Sequence, residues 1–99
     1  MEKIQIEFSK VGIIRYISHL DLLRVFARAV RRSGLPVALS KGFNPRLKIS
    51  FVRALKLGTE SSNEEAAFQI EKPIKTEDFK IRLAKELPPG IEIQEIRKV

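Results

Sequence analysis

The chain opens with alternating apolar and polar residues, a pattern that predicts a strand with one buried face. The alternation covers residues 4–8 and is interrupted at Gly12, and we expect the apolar residues within 11–14 to continue into the core. Three later segments show a similar pattern: 47–57, 64–71 and a last strand from Ile91. Arg53 falls on the apolar side of its segment, so either a bulge shifts the register there or an arginine replaces a core residue.

Apolar residues spaced at helical intervals predict two helices, near 18–33 and 76–87. Ser18 and Asp21 have the spacing of a capping box at the start of the first helix, and Thr76 is expected to cap the second. On a helical wheel, the apolar side chains of the first helix cover one side. The other side carries four arginines: Arg24, Arg28, Arg31 and Arg32.

The predicted order of elements is β-α-β-β-α-β, with a short extended segment at 36–39 before the central hairpin. This order predicts an α+β fold, the ferredoxin-like sandwich, in which an antiparallel sheet carries both helices on one face. Ninety-nine residues are enough for one core, so we expect a single domain over 1–99. The outward residues of the first and third main strands include no aromatic side chain, so we do not expect bases to stack on the sheet.

The formal net charge of +7 is concentrated in one stretch. The 38 residues between Asp21 and Glu60 contain nine basic residues and no acidic one, whereas the flanking segments nearly cancel. After the four helical arginines, the bases continue as Lys41, Arg46, Lys48, Arg53 and Lys56. Such a concentration favours one surface that attracts an anionic partner, and nucleic-acid phosphate is the leading candidate. A solvated helix face is the alternative, although such faces usually mix both signs of charge.

Composition excludes several classes of protein. The chain has no apolar run near the ~20 residues that a membrane span needs, and we recognise no signal-peptide pattern, so we expect a cytoplasmic protein without a membrane partner. Without cysteine there is no thiolate nucleophile, no disulfide and no Cys-built zinc or iron–sulfur site. We expect no cofactor.

The loop from Ser40 to Arg46 is predicted to be a turn, and it contains two basic residues, Lys41 and Arg46. Backbone N–H groups around Gly42 can bind a phosphate, with Lys41 and Arg46 beside it; a plain basic turn is the alternative. Phe43 is either a core residue that anchors this loop or an exposed ring on which a base stacks. We favour the anchor.

His19 is the only histidine, at the first position of the first helix and toward its apolar side. Tyr16 or Asp21 can orient it, but no nucleophile–base pair is visible, so a structural, partly buried histidine is favoured over a catalytic one. One histidine and one aspartate supply too few ligands for a metal site. We therefore expect neither a metal nor a catalytic residue.

Three motifs carry a resemblance that covers roughly residues 1–99: YISHLDLLR at 16–24, RAVRR at 28–32 and SKGFNP at 40–45. They resemble the radical-SAM-linked domain of unknown function, a bacterial family fused to radical-SAM proteins or encoded beside them. The resemblance makes Tyr16, His19, Asp21, Gly42 and Asn44 a motif of possible functional importance. The family often has His-Pro after Asn-Pro where this chain has Arg46 and Leu47, so a histidine role does not transfer.

The resemblance implies a radical-SAM partner, and the frequent neighbourhood of ribonuclease and ribosomal-protein genes points to RNA. Our leading hypothesis is an accessory module that binds rRNA or tRNA through the first helix and the following loop. In it the four helical arginines pair with phosphates, and Lys41, Arg46 and Lys48 extend their row. The second hypothesis is a protein-interaction domain that docks on an acidic surface of the partner. The third is an RNA-processing enzyme that uses His19. The chain cannot hold the radical enzyme's own cluster, because it has no cysteine.

Overall fold

The structure, a computed structural model, describes residues 2–51 and 61–99, with the backbone alone for 61–63. A short 3-10 helix, Gly12–Tyr16, follows the first strand. The strands and helices, in chain order, are β1 (Glu2–Lys10), α1 (His19–Ser33), β2 (Ile49–Phe51), β3 (Ser61–Ile70), α2 (Thr76–Glu86) and β4 (Ile91–Lys98). The predictions at Arg53 and Lys56, and the strand expected to continue to Leu57, lie outside the described residues.

The four strands form one antiparallel sheet in the order β2-β3-β1-β4. Both helices bury their apolar sides in the same cluster as the inward residues of the sheet, so they cover one face of it. This arrangement confirms the predicted α+β fold and is compatible with the ferredoxin-like sandwich. The short segment expected at 36–39 is present as two isolated bridges, Val37 to Ile70 and Leu39 to Leu47.

The core is built on aromatic rings that meet edge to face. Phe8 and Phe26 join β1 to α1 with ring centroids 5.0 Å apart, and Phe68 and Phe79 join β3 to α2 at 5.2 Å. All four rings are completely buried. Burial of apolar area of this kind is the main force that holds the helices on the sheet.

The ends of α1 follow the sequence prediction. The hydroxyl of Ser18 accepts a hydrogen bond from the backbone N–H of Asp21 at 3.1 Å, which satisfies one of the free donors at the start of the helix. Gly34 ends the helix with φ +68°, a conformation that a side chain would strain. In the last turn, Arg31 and Arg32 lie at the negative end of the helix dipole.

Several local predictions were wrong. Thr76 is the first residue of α2 rather than its N-cap. Lys75 occupies the N-cap position, and the Lys75 side chain makes no capping hydrogen bond. The strand expected over 64–71 begins three residues earlier than predicted, because β3 starts at Ser61. Val11 and Ile13 are exposed, at 41% and 90%, because the chain leaves β1 into the 3-10 helix instead of continuing into the core.

A buried ion pair joins the end of β1 to β3. The Nζ atom of Lys10 lies 3.9 Å from Oε2 of Glu64, and both side chains are only 3% exposed. Burial raises the pKa of the Glu64 carboxyl above its usual value, and the charges of Lys10 and then His19 lower it in part. No described residue donates a hydrogen bond to Oε2, so the charge of Lys10 is its main compensation.

Candidate nucleic-acid interface

A groove runs between α1 and the chain segment at 46–49, with a volume of about 560 Å³. Its rim carries five arginines: Arg24, Arg28, Arg31, Arg32 and Arg46. Its floor is apolar and consists of Leu20, Leu23, Ala27, Leu47 and Ile49. The structure therefore brings the four predicted helical arginines together with the predicted loop arginine, on one concave surface. We call this surface the arginine groove.

Helical geometry explains the combination of rim and floor. At about 100° per residue, Leu23, Ala27 and Leu20 lie along one border of the arginine side of α1. These three side chains are half-buried or exposed and form the helix side of the floor. Leu47 and Ile49 form the side that faces the helix. The Cα register of Ile49 with Phe68 places Ile49 on the helix-covered face of the sheet, so it closes the groove against α1.

Among the described residues, little negative charge compensates the arginines of the groove. Arg24 forms an exposed ion pair with Asp21, with Nη1 and Oδ1 3.2 Å apart. Within residues 2–51 and 61–99, no other rim arginine makes a side-chain ion pair with a carboxylate. Arg24, Arg28 and Arg32 follow at i+4 intervals, and each such like-charge pair costs about 0.2–0.5 kcal/mol of helix stability. An anion in the groove would remove this repulsion.

The loop beside the groove is a hairpin that projects from the sheet edge. The Ser40 N–H donates to the Arg46 carbonyl at 2.7 Å, and the Arg46 N–H donates to the Ser40 hydroxyl at 3.0 Å. At the tip, Gly42 has φ +134°, which favours glycine. Phe43 is 104% exposed and has no ring contact with the described residues, so the prediction that it anchors the loop in the core was wrong.

The other predicted residues divide between the hairpin and the opposite face of the sheet. Lys41, Gly42 and Asn44 are exposed in the hairpin and do not line the groove. Lys48 points the other way from its neighbours, toward the uncovered face of the sheet, where it lines a smaller cavity of about 230 Å³ with Lys3. Lys48 therefore does not extend the row of rim arginines.

His19 is exposed, so the prediction of a partly buried histidine was wrong. Its ring meets the Phe51 ring at a centroid distance of 4.9 Å. Within the described part of the chain its imidazole has no hydrogen-bond partner, so neither Tyr16 nor Asp21 orients it. The Tyr16 hydroxyl instead accepts a hydrogen bond from Arg15 at 2.8 Å. Sequence reasoning missed Glu64, the carboxylate whose pKa His19 lowers.

The uncovered face of the sheet has acidic residues at its centre. Glu7 is in register with Glu65 on one side and with Glu95 on the other. Desolvation, followed by the neighbouring Glu95, raises the pKa of the Glu7 carboxyl. All seven aromatic residues lie elsewhere, in the core, in the hairpin or after β1. The three glutamates and the arginine groove thus lie on different faces of the domain.

Residues 3–99 match the profile of a bacterial family described as uncharacterized proteins conserved in bacteria, DUF2344. The chain belongs to this family. The DUF2344 description carries no radical-SAM association, so the partner implied by the sequence resemblance stays a prediction. No curated protein matches the chain.

The described residues contain no group of three or more His, Cys, Asp or Glu side chains placed to hold a metal ion. Among the helices of residues 2–51 and 61–99, none is long and apolar enough to cross a membrane.

The floor of the groove was missed from the sequence, although Leu20, Leu23 and Ala27 already lie beside the arginines on the helical wheel.

Proposed function

We propose that this domain is a small accessory module that binds RNA, such as rRNA or tRNA, through α1 and the hairpin at Ser40–Arg46. One observation carries the proposal: five arginines surround a single groove in which, among the described residues, only Asp21 offers a compensating carboxylate. Arginine pairs with phosphate through a planar, bidentate fork, and a row of such contacts follows a phosphate backbone. The acidic centre of the uncovered sheet face favours an approach from the helix side.

The number of rim arginines sets the expected salt dependence. If each of five arginines neutralises one phosphate, log K falls with log salt concentration at a slope of about −3.5 to −4.5. Affinity then drops about 100- to 500-fold between about 50 and 200 mM salt. Binding to a neutral or apolar partner would show no such dependence.

The test is a salt titration of RNA affinity for the wild type and for Arg24→Ala/Arg28→Ala. Both arginines are exposed, so the variant is expected to fold. Loss of two phosphate contacts reduces the slope by about 1.4 for a single strand or about 1.8 for a duplex. A matched control, Lys72→Ala/Lys85→Ala, lowers the formal net charge from +7 to the same +5 but changes exposed residues outside the groove, and its slope is expected to equal that of the wild type.

Two results would contradict the proposal. If the wild-type protein shows no salt-dependent RNA binding at low ionic strength, the RNA proposal fails. Docking of the groove on an acidic protein surface would then take its place. Equal slopes for the arginine variant and the lysine control would show that the net charge, and not the groove, attracts the RNA.

We propose in addition that the module works with a radical-SAM partner, to which it delivers RNA. The motif resemblance supports this part. The test is affinity capture with the tagged chain from its own host, followed by mass spectrometry. We expect it to recover a radical-SAM protein, and we expect that protein to stay bound after nuclease treatment. Recovery of RNA alone would leave the module without this partner.

A further inference from the structure

The arginine groove has features that a phosphate-binding surface does not need. Its floor is apolar, and an exposed aromatic ring stands at the tip of the hairpin beside it. We propose that the RNA is unpaired where it contacts this domain, with one base on the groove floor and another stacked on Phe43. This inference rests on the proposed RNA binding and names the class of RNA.

The floor argues for a base because phosphates gain nothing from apolar surface. Leu20 is 53% exposed, and Leu23, Ala27, Leu47 and Ile49 are partly exposed along the same groove. A duplex keeps the faces of its bases inside the stack, whereas an unpaired base presents a flat apolar face to side chains. The groove volume of about 560 Å³ lies within the range of sites that enclose small organic ligands.

Phe43 argues for a second base because its ring is free. The ring is fully exposed and contacts no described aromatic residue, which leaves both faces open for stacking. Phe43 is three residues from Arg46, so the two Cα atoms are at most about 11 Å apart. Tyr16, the other exposed aromatic residue, has the Arg15 guanidinium 4.8 Å from its ring centroid, which leaves it less available.

Charge and stacking are separate contributions to affinity, and this separation makes the inference testable. Arginine contacts determine the salt slope, whereas stacking of a base changes affinity with little change in that slope. Removal of a stacking side chain is expected to weaken binding to a single strand about 5- to 150-fold. The same change leaves binding to a polyanion without bases unaffected.

The experiment compares Phe43→Ala and Phe43→Trp with the wild type on three probes: a short mixed-sequence single-stranded RNA, a blunt duplex of the same sequence, and inorganic polyphosphate. We expect the wild type to prefer the single strand. Phe43→Ala should lose affinity for the single strand alone, with an unchanged salt slope and melting temperature, and Phe43→Trp should retain it. Leu20→Ser tests the floor in the same way, since Leu20 is more than half exposed.

The possible failures are distinguishable. Equal affinity for single strand and duplex, or an unchanged single-strand affinity in both Phe43→Ala and Leu20→Ser, would overturn this inference while RNA binding by the arginines stands. Absence of RNA binding by the wild type, with polyphosphate still bound, would overturn both proposals. A loss of affinity for polyphosphate in Phe43→Ala would show that the hairpin acts on charge and would also refute stacking.

Discussion

The buried pair of Lys10 and Glu64 permits a quantitative test of what holds the fold together. Lys10→Met keeps an unbranched side chain of similar length but leaves the Glu64 carboxylate buried without its cation, 3.9 Å away in the wild type. At that distance two unit charges attract by about 4 kcal/mol for an effective dielectric constant of about 20. Breaking one partner out of a buried pair costs about 3–5 kcal/mol, a range that includes this figure.

Such a loss is large for a domain of this size. A chain of 99 residues has a free energy of unfolding of about 5–15 kcal/mol, so Lys10→Met is expected to remove a substantial part of it. The melting temperature should fall by at least about 12 °C. Urea unfolding followed by circular dichroism at pH 7 measures the free energy directly.

The pH dependence gives the sign. Burial has already raised the pKa of Glu64, and removal of Lys10 takes away the largest influence that lowers it. A carboxyl whose pKa is raised in the folded state lowers the stability of the protein as the pH rises from its unfolded-state pKa to its folded-state pKa. The cost of Lys10→Met should therefore be greatest at pH 7 and shrink toward about pH 4, where the carboxyl is protonated in both states.

A double variant serves as the control. Lys10→Met/Glu64→Leu removes both charges, and such replacements of a buried pair are often neutral or stabilising. We expect it to recover most of the stability that the single variant loses. A cost below about 1 kcal/mol for Lys10→Met, or a double variant no more stable than the single one, would refute the reasoning that Glu64 depends on Lys10.

Two further predictions concern titratable groups on the surface. Glu7→Gln should raise the melting temperature at pH 7, because the raised pKa of Glu7 means that its charge opposes folding, and the gain should vanish below about pH 4; equal gains at both pH values would contradict this. His19→Ala should leave RNA binding unchanged and abolish no RNA cleavage, because its imidazole has no hydrogen-bond partner among the described residues. Cleavage of a defined RNA that depends on His19, seen on a gel, would make it catalytic.

Predictions from the sequence succeeded where the signal is local. The cap at Ser18 and the two sides of α1 depend on spacings within one helix, and the structure reproduces both. Lys48 could have been placed correctly too, since it alternates with Leu47 and Ile49 and must face the other way. Its assignment to the arginine row followed charge and overlooked the alternation.

Other features depend on contacts between distant parts of the chain. Lys10 and Glu64 are far apart in sequence, and a register shift between Phe8 and Lys10 precedes their contact, which no spacing rule anticipates. Phenylalanine is usually a core residue, but Phe43 is exposed to solvent because it lies at the tip of a hairpin. Ile13 is exposed for a similar reason, because Gly12 with φ +68° starts a 3-10 helix there.

The strand order also has a practical consequence for handling the protein. One row of register partners crosses the whole sheet, from Ile49 at the groove through Phe68 and Ile4 to Lys98. Three strand spacings separate its ends by about 14 Å. A fluorophore attached at position 98 therefore sits at the far edge of the sheet, where it leaves the arginine groove open to large ligands.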